Sequence, residues 1–328
     1  MKKILQFAKR KTKKNFLRKM FLGAAGLLLP FSTSACSDQG DIRYQPLDFA
    51  ETTEGFPAPK NWRELYPHGS AGKLEGTIVV ISIFASDLNG IWDMNDHDDR
   101  TKQDLIYRNL KIACDYLTTE SARYAKDVTF VWDWKDHPEL YYEVGIDAAL
   151  AKLQTDFESI EPLTWETIEK NIDSEDIRRT FGADSMIYMV YIDSPADNKA
   201  HNLSGRFRDN MSYPYEVSYI QTIFRNKKTP PAVYAHEMLH AFGAPDLYLP
   251  DNTDDYPFDY DITTEYAREI NDNNLNDIMR ITWNVDTHKY EYNKISPQIT
   301  DITAYYVGLT DESETVKKWG FAPSQHDE

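Results

Sequence analysis

The stretch TIVVISIFA, at positions 77–85, runs for nine residues without a charge, and most of its side chains are β-branched or large and apolar. An amphipathic strand alternates; a strand apolar at nearly every position must be covered on both faces. SMIYMVYID, at 185–193, has the same character up to its closing aspartate. Strands of this kind belong to parallel sheets, whose crossover connections lay helices on both sides. The intervening segments supply them. Residues 101–126 place Ile106, Leu110, Ala113 and Leu117 on one helical face. Helices are also predicted at 146–155 and at 164–181, the second stopped by Gly182. Residues 128–134 read as another strand, and the more polar 215–224 as an edge strand.

The fold class that follows is α/β, or α+β: a mixed, mostly parallel twisted sheet with helices over residues 73–245, then a mainly loop and helix part over 246–328. The last predicted helix spans 296–309. Ser296 is its cap, Pro297 its first residue, and Ile299, Ile302, Tyr306 and Leu309 its inner face.

The start of the chain reads differently. Residues 1–20 carry nine Lys or Arg and no acid, and MFLGAAGLLLPF at 20–31 is too short to span a bilayer. A basic stretch, a short apolar run and small residues describe a secretory signal peptide over 1–35. STSAC resembles a bacterial lipoprotein processing site, with Cys36 as the lipidated residue, although Thr33 stands where leucine is usual. The expected location is the bacterial cell envelope, with the lipid membrane as a partner through an N-terminal anchor. Residues 36–72, polar and dotted with prolines, read as a tether, and 73–328 as the working domain. Cys114 lies inside a predicted helix and reads as a small buried residue. Without residues 1–35 the chain has 27 basic and 53 acidic side chains, a balance that disfavours nucleic acid and anionic lipid surfaces.

The chemistry is concentrated in YAHEMLHAFGAPDLY, residues 234–248. His236 and His240 are four apart, so on a helix both imidazoles lie on one face, one turn apart, and can meet a single Zn²⁺. Glu237, beside the first, can act as a general base. Catalytic zinc needs a third protein ligand. On an unbroken helix Asp246, six residues beyond His240, would lie about 9 Å up the axis and face away. Gly243 and Pro245 break the helix first, which can return Asp246 to the ion.

HEMLHAFGAPD resembles the metzincin zinc-peptidase motif H-E-x-x-H-x-x-G-x-x-H/D in its aspartate form, as in snapalysin-like and immune inhibitor A-like peptidases. The resemblance implies zinc on His236, His240 and Asp246, with Glu237 catalytic and a peptide or protein as substrate. It also implies a tight turn with a methionine beneath the metal, for which NDIMRIT offers Met279. Where many members carry a tyrosine two residues after that methionine, this chain has Ile281, and Tyr248 is the candidate substitute as transition-state stabiliser. An acid from the stretch after Tyr248 is the alternative third ligand.

Two acidic runs, at 93–99 and 251–261, are rich in oxygen ligands for Ca²⁺ but lack the glycine and closing glutamate of a calcium loop, so solvated loops are the simpler expectation. The expected function is that of a zinc-dependent endopeptidase. The alternatives are an inactive zinc-binding surface lipoprotein and an adhesin for glycan or protein in which the motif is accidental.

Overall fold

The computed structural model describes residues 68–153, 156–193, 203–204, 215–224, 227–248, 262 and 264–319. The expected signal peptide, Cys36, the tether up to residue 67 and the acidic run 251–261 lie outside the described residues.

The long apolar run forms β1 (Gly76–Ser86), and every other main-sheet strand is placed relative to it. β2 (Val128–Val131) pairs with its first half and β3 (Tyr141–Gly145) with its second, both in parallel. On the other side β4 (Ser185–Ile192) runs parallel along its length, and β6 (Val217–Gln221) runs parallel to β4. The short β5 (Leu203–Ser204) closes that edge antiparallel to β6. The class is therefore mixed α/β with a mostly parallel sheet.

Residues on β4 show why both faces must be covered, because neighbours along a strand point to opposite sides. The Tyr188 ring stacks at 4.1 Å on Tyr215, which stacks at 3.6 Å on Trp165 of α2 (Phe157–Asn171). The Tyr188 hydroxyl donates to Ser174 Oγ, at the start of α3 (Ser174–Phe181), at 2.8 Å. Tyr191 faces the opposite way, with its ring 5.1 Å from Phe84 and 6.2 Å from Tyr234 of α4 (Pro231–His240). On that side α1 (His97–Ala122) packs against α4. Cys114 of α1 is a free buried cysteine whose thiol burial pushes well above its usual range, as suits a packing residue.

Several boundaries differ from the sequence expectation, each for a visible reason. α1 starts before residue 101 because the Asp96 side chain accepts from the amides of Asp98 and Asp99. The run 93–99 is thus a helix start: Asp96 is occupied by the cap, and Asp99 accepts from the Asp93 amide and Lys102. Among the described residues of the helix expected at 146–155 there is one 3₁₀ turn, Leu150–Lys152, since Ile146 N–H bonds Ser86 O and Leu150 N–H bonds Asp87 Oδ2, tying the chain to the end of β1. The helix expected at 164–181 is two. Buried Ile172 is extended, and Asp173 accepts from the Asp176 amide to start α3.

β6 is interior where β5 covers it, and all five of its residues are buried. Its polarity serves packed contacts: Ser218 Oγ donates to the Glu237 carbonyl on α4 at 3.1 Å. Ile223 and Phe224 leave the sheet as β7, paired with β8 (Lys227–Lys228). Among the described residues, α4 is followed by α5 (Thr264–Asp272), α6 (Asp301–Tyr306) and α7 (Glu314–Trp319). α6 begins after Thr300, not Ser296, because the residues before it are held extended. Ile299 N–H bonds Glu120 Oε2 at 2.9 Å, and Gln298 bridges to Asp277. Residues 68–72, expected in the tether, belong to the fold, with Gly69, Ser70 and Ala71 buried.

Candidate metal centre

α4 opens with Pro231 at its first position, where a missing amide costs nothing, and nine of its residues, among them Ala235, Met238 and Leu239, are buried. The helix is therefore packed in the interior up to its far end, where His236 and His240 sit. Its ending is a Schellman turn. Gly243 has φ +94°, its amide donates to His240 O at 2.8 Å, and the Ala244 amide donates to Leu239 O at 3.1 Å. The chain then reverses through Pro245, and the Leu247 amide is fixed on Met279 O at 3.0 Å.

This reversal does what the sequence requires of it. Asp246 Oδ1 lies 3.1 Å from His236 Nε2 and 3.3 Å from His240 Nε2. The three side chains are buried, and their ligand atoms lie within 4.8 Å of one another. Among the described residues this is the only such group of three, so the run 93–99 does not provide a second.

The outer nitrogens settle the protonation pattern. His236 Nδ1 faces the Ile278 carbonyl at 2.9 Å, and His240 Nδ1 faces the Ala244 carbonyl at 2.8 Å. A carbonyl only accepts, so each Nδ1 carries a proton, and a ring without a second proton presents its Nε2 lone pair to the centre. Two lone pairs and a carboxylate oxygen then converge with no donor among them. That arrangement requires a positive charge in the middle, either a proton or a metal ion. The donor set fits zinc, with two imidazoles, one carboxylate and each ring oriented by a backbone carbonyl.

The same conflict raises the basicity of His236. Burial opposes its imidazolium, but the Asp246 hydrogen bond and charge, with Glu237 nearby, prevail and lift its pKa to about 9. The sign follows. A raised histidine pKa stabilises the metal-free fold fully below the ordinary 6.5, and that stabilisation fades as pH rises through about 9. Metal uptake must expel this proton, so calorimetry in buffers of different ionisation enthalpy should report about one proton released per metal at pH 7, falling towards none above about pH 10. Release near zero at pH 7 would show that His236 is neutral before the metal arrives.

Glu237 is buried one residue past His236, its charge acts on that ring, and its carbonyl is anchored by Ser218. The Tyr248 ring stacks 6.3 Å from the His236 ring and is 42% exposed. Met279 is fully buried in a tight turn, where the amides of Arg280 and Ile281 both reach Asp277 O at 3.0 Å. Ile281 is buried as well. Lipidation of Cys36 and an alternative ligand from 251–261 fall outside the described residues.

Sequence reasoning missed the parts that hold the centre. The Ile278 and Ala244 carbonyls are backbone groups and have no residue signature. Asp277 had a readable signal: an aspartate two residues before Met279 can bond that amide as an Asx turn, and it does so at 2.7 Å. No family model, curated protein or solved structure matches this chain.

Proposed function

We propose that the chain is a zinc-dependent endopeptidase, exported by its N-terminal signal and anchored by lipid on Cys36. The observation that carries this reading is the convergence of His236, His240 and Asp246 beside Glu237, a buried acid outside the ligand group. His236, His240 and Asp246 would hold the metal. Zinc, when bound there, acts as a Lewis acid on a carbonyl oxygen and makes water more acidic. Glu237 takes a proton from the attacking water on its carboxylate and returns it to the leaving nitrogen as the C–N bond breaks. The products are a carboxylic acid and an amine. The tight turn at Met279 supports the resemblance to metzincins, because the adjacent Ile278 carbonyl orients a ligand. Tyr248, whose ring stacks near that of His236 and is partly exposed, would donate its hydroxyl to substrate in this reading.

The test combines metal analysis with a peptide-library digest. About one zinc per chain is expected, with cleavage lost on chelation and restored by added zinc. A purified chain without stoichiometric metal overturns the reading. Bound zinc without cleavage of any peptide would leave the inactive metal-binding lipoprotein as the better description.

A further inference from the structure

The sequence reads residues 68–72 as the end of a tether, yet they cross the end of the metal helix at backbone contact distance. A Cβ built on Gly69 would lie 2.5 Å from Ala241 O and 2.6 Å from Gly243 N. A Cβ on Gly243 would lie 2.6 Å from the His68 carbonyl carbon and 2.8 Å from its oxygen. The two glycines face each other across the crossing, and both have positive φ, +87° and +94°.

The strap is tied on every side. Ala71 N–H donates to Ala241 O at 2.8 Å, satisfying one of the carbonyls that a helix end leaves without an internal partner. The Ser70 amide and hydroxyl both donate to the carboxylate of Glu216, a buried residue just before β6, at 2.7 Å for the amide. Ser185 Oγ donates to Ala71 O. His68 Nδ1 donates to Tyr306 O at 3.1 Å, and the Leu74 amide to Val307 O at 2.8 Å. One short segment thus joins the end of α4, the starts of β4 and β6, and the end of α6.

The position matters because the turn beneath the strap supplies part of the centre. Ala244 O orients His240, and two residues later Asp246 supplies the carboxylate. We infer that Gly69 is a positioning residue for the metal centre: its missing side chain lets the strap press the Gly243–Ala244 turn into the conformation that aims His240 and Asp246. The inference rests on the metal reading, and it makes the segment before the domain part of the centre's support.

Gly72 provides an internal control. It also has positive φ, +74°, but a Cβ there meets nothing within 4 Å. Substituting it adds backbone strain without a collision. In the full chain, Co²⁺ is titrated into wild type, Gly69→Ala and Gly72→Ala, following the visible d–d absorption, with urea unfolding in chelator as the stability control. Gly69→Ala is expected to weaken Co²⁺ binding by about 10–100-fold and to shift the absorption band. Gly72→Ala is expected to lose stability with the band and affinity of wild type. Equal loss in both variants, or wild-type affinity and spectrum in Gly69→Ala, overturns the inference. If Gly69→Ala does not fold, Glu216→Gln decides. It loosens the strap's anchor without adding bulk, and a shifted band with about threefold or greater loss of affinity is expected, since a supporting contact and not a ligand is altered. A wild-type spectrum in that variant overturns the inference too. Failure of the wild type itself to bind Co²⁺ overturns the metal reading first, and with it this one.

Discussion

Glu237→Ala is expected to lower kcat/KM for peptide cleavage by about 10²–10⁴-fold, the usual contribution of a positioned general base, while the purified variant retains its zinc. The two halves of this result come from different residues. The metal would be held by two imidazoles and Asp246, and Glu237 is not in that group. Removing its carboxylate leaves the ligand set complete but takes away the proton acceptor beside it. Burial sharpens the contrast, because the Glu237 side chain is largely hidden from water and bulk solvent is a poor substitute. Glu237→Gln preserves shape and some hydrogen bonding, so it separates the proton role from packing: a similar loss in both variants assigns the proton transfer to Glu237. Cleavage at the wild-type rate in either variant with zinc bound would sink the assignment.

How much of this was legible beforehand depends on where the information resides. β1 and β4 were readable because an unbroken apolar run leaves one option, burial on both faces. The candidate centre is readable because His236, His240, Gly243 and Asp246 are coded in one short run and helix geometry fixes where the two histidines point. The supports were not readable for the converse reason. Ile278 O and Ala244 O are carbonyls that any residue could present, and tertiary contact alone brings the first to His236. The strap reads as tether because a short run of Gly, Ser and Ala looks alike in a solvated linker and in a segment whose Ser70 and Ala71 amides are bonded to the fold. Ser296 and Pro297 gave a good helix-start signal, but Asp277 and Glu120 bind the amides of Thr300 and Ile299 and keep that stretch extended. Two carboxylates from elsewhere in the chain thus override a local rule.

Of the two, Asp277 is where stability and function meet, and Asp277→Ala is expected to destabilise the metal-free protein by about 3–5 kcal/mol, the range for breaking a buried charged hydrogen-bond network. Asp277 is fully buried. Its oxygens accept from the Met279 amide at 2.7 Å, the Thr300 amide at 3.0 Å, Thr300 Oγ1 at 2.5 Å and Thr303 Oγ1 at 2.9 Å. Burial raises its pKa despite these donors, so the ionised group is costly to keep, but removing it orphans several donors at once. Asp277→Asn retains one acceptor oxygen and carries no charge, and should therefore lose less than alanine. Thr303→Val removes one donor of the set and should cost only about 1 kcal/mol. Urea unfolding in chelator measures these differences without a contribution from the metal. The metal-loaded protein adds a second signature. The turn that Asp277 fixes presents the Ile278 carbonyl to His236, so zinc affinity in Asp277→Ala should fall by about 10–100-fold, as when the outer partner of a ligand is lost. A loss below about 1 kcal/mol with unchanged zinc affinity would show that the Ile278 amide, bonded to Gln298 O at 2.9 Å, holds the turn without the carboxylate.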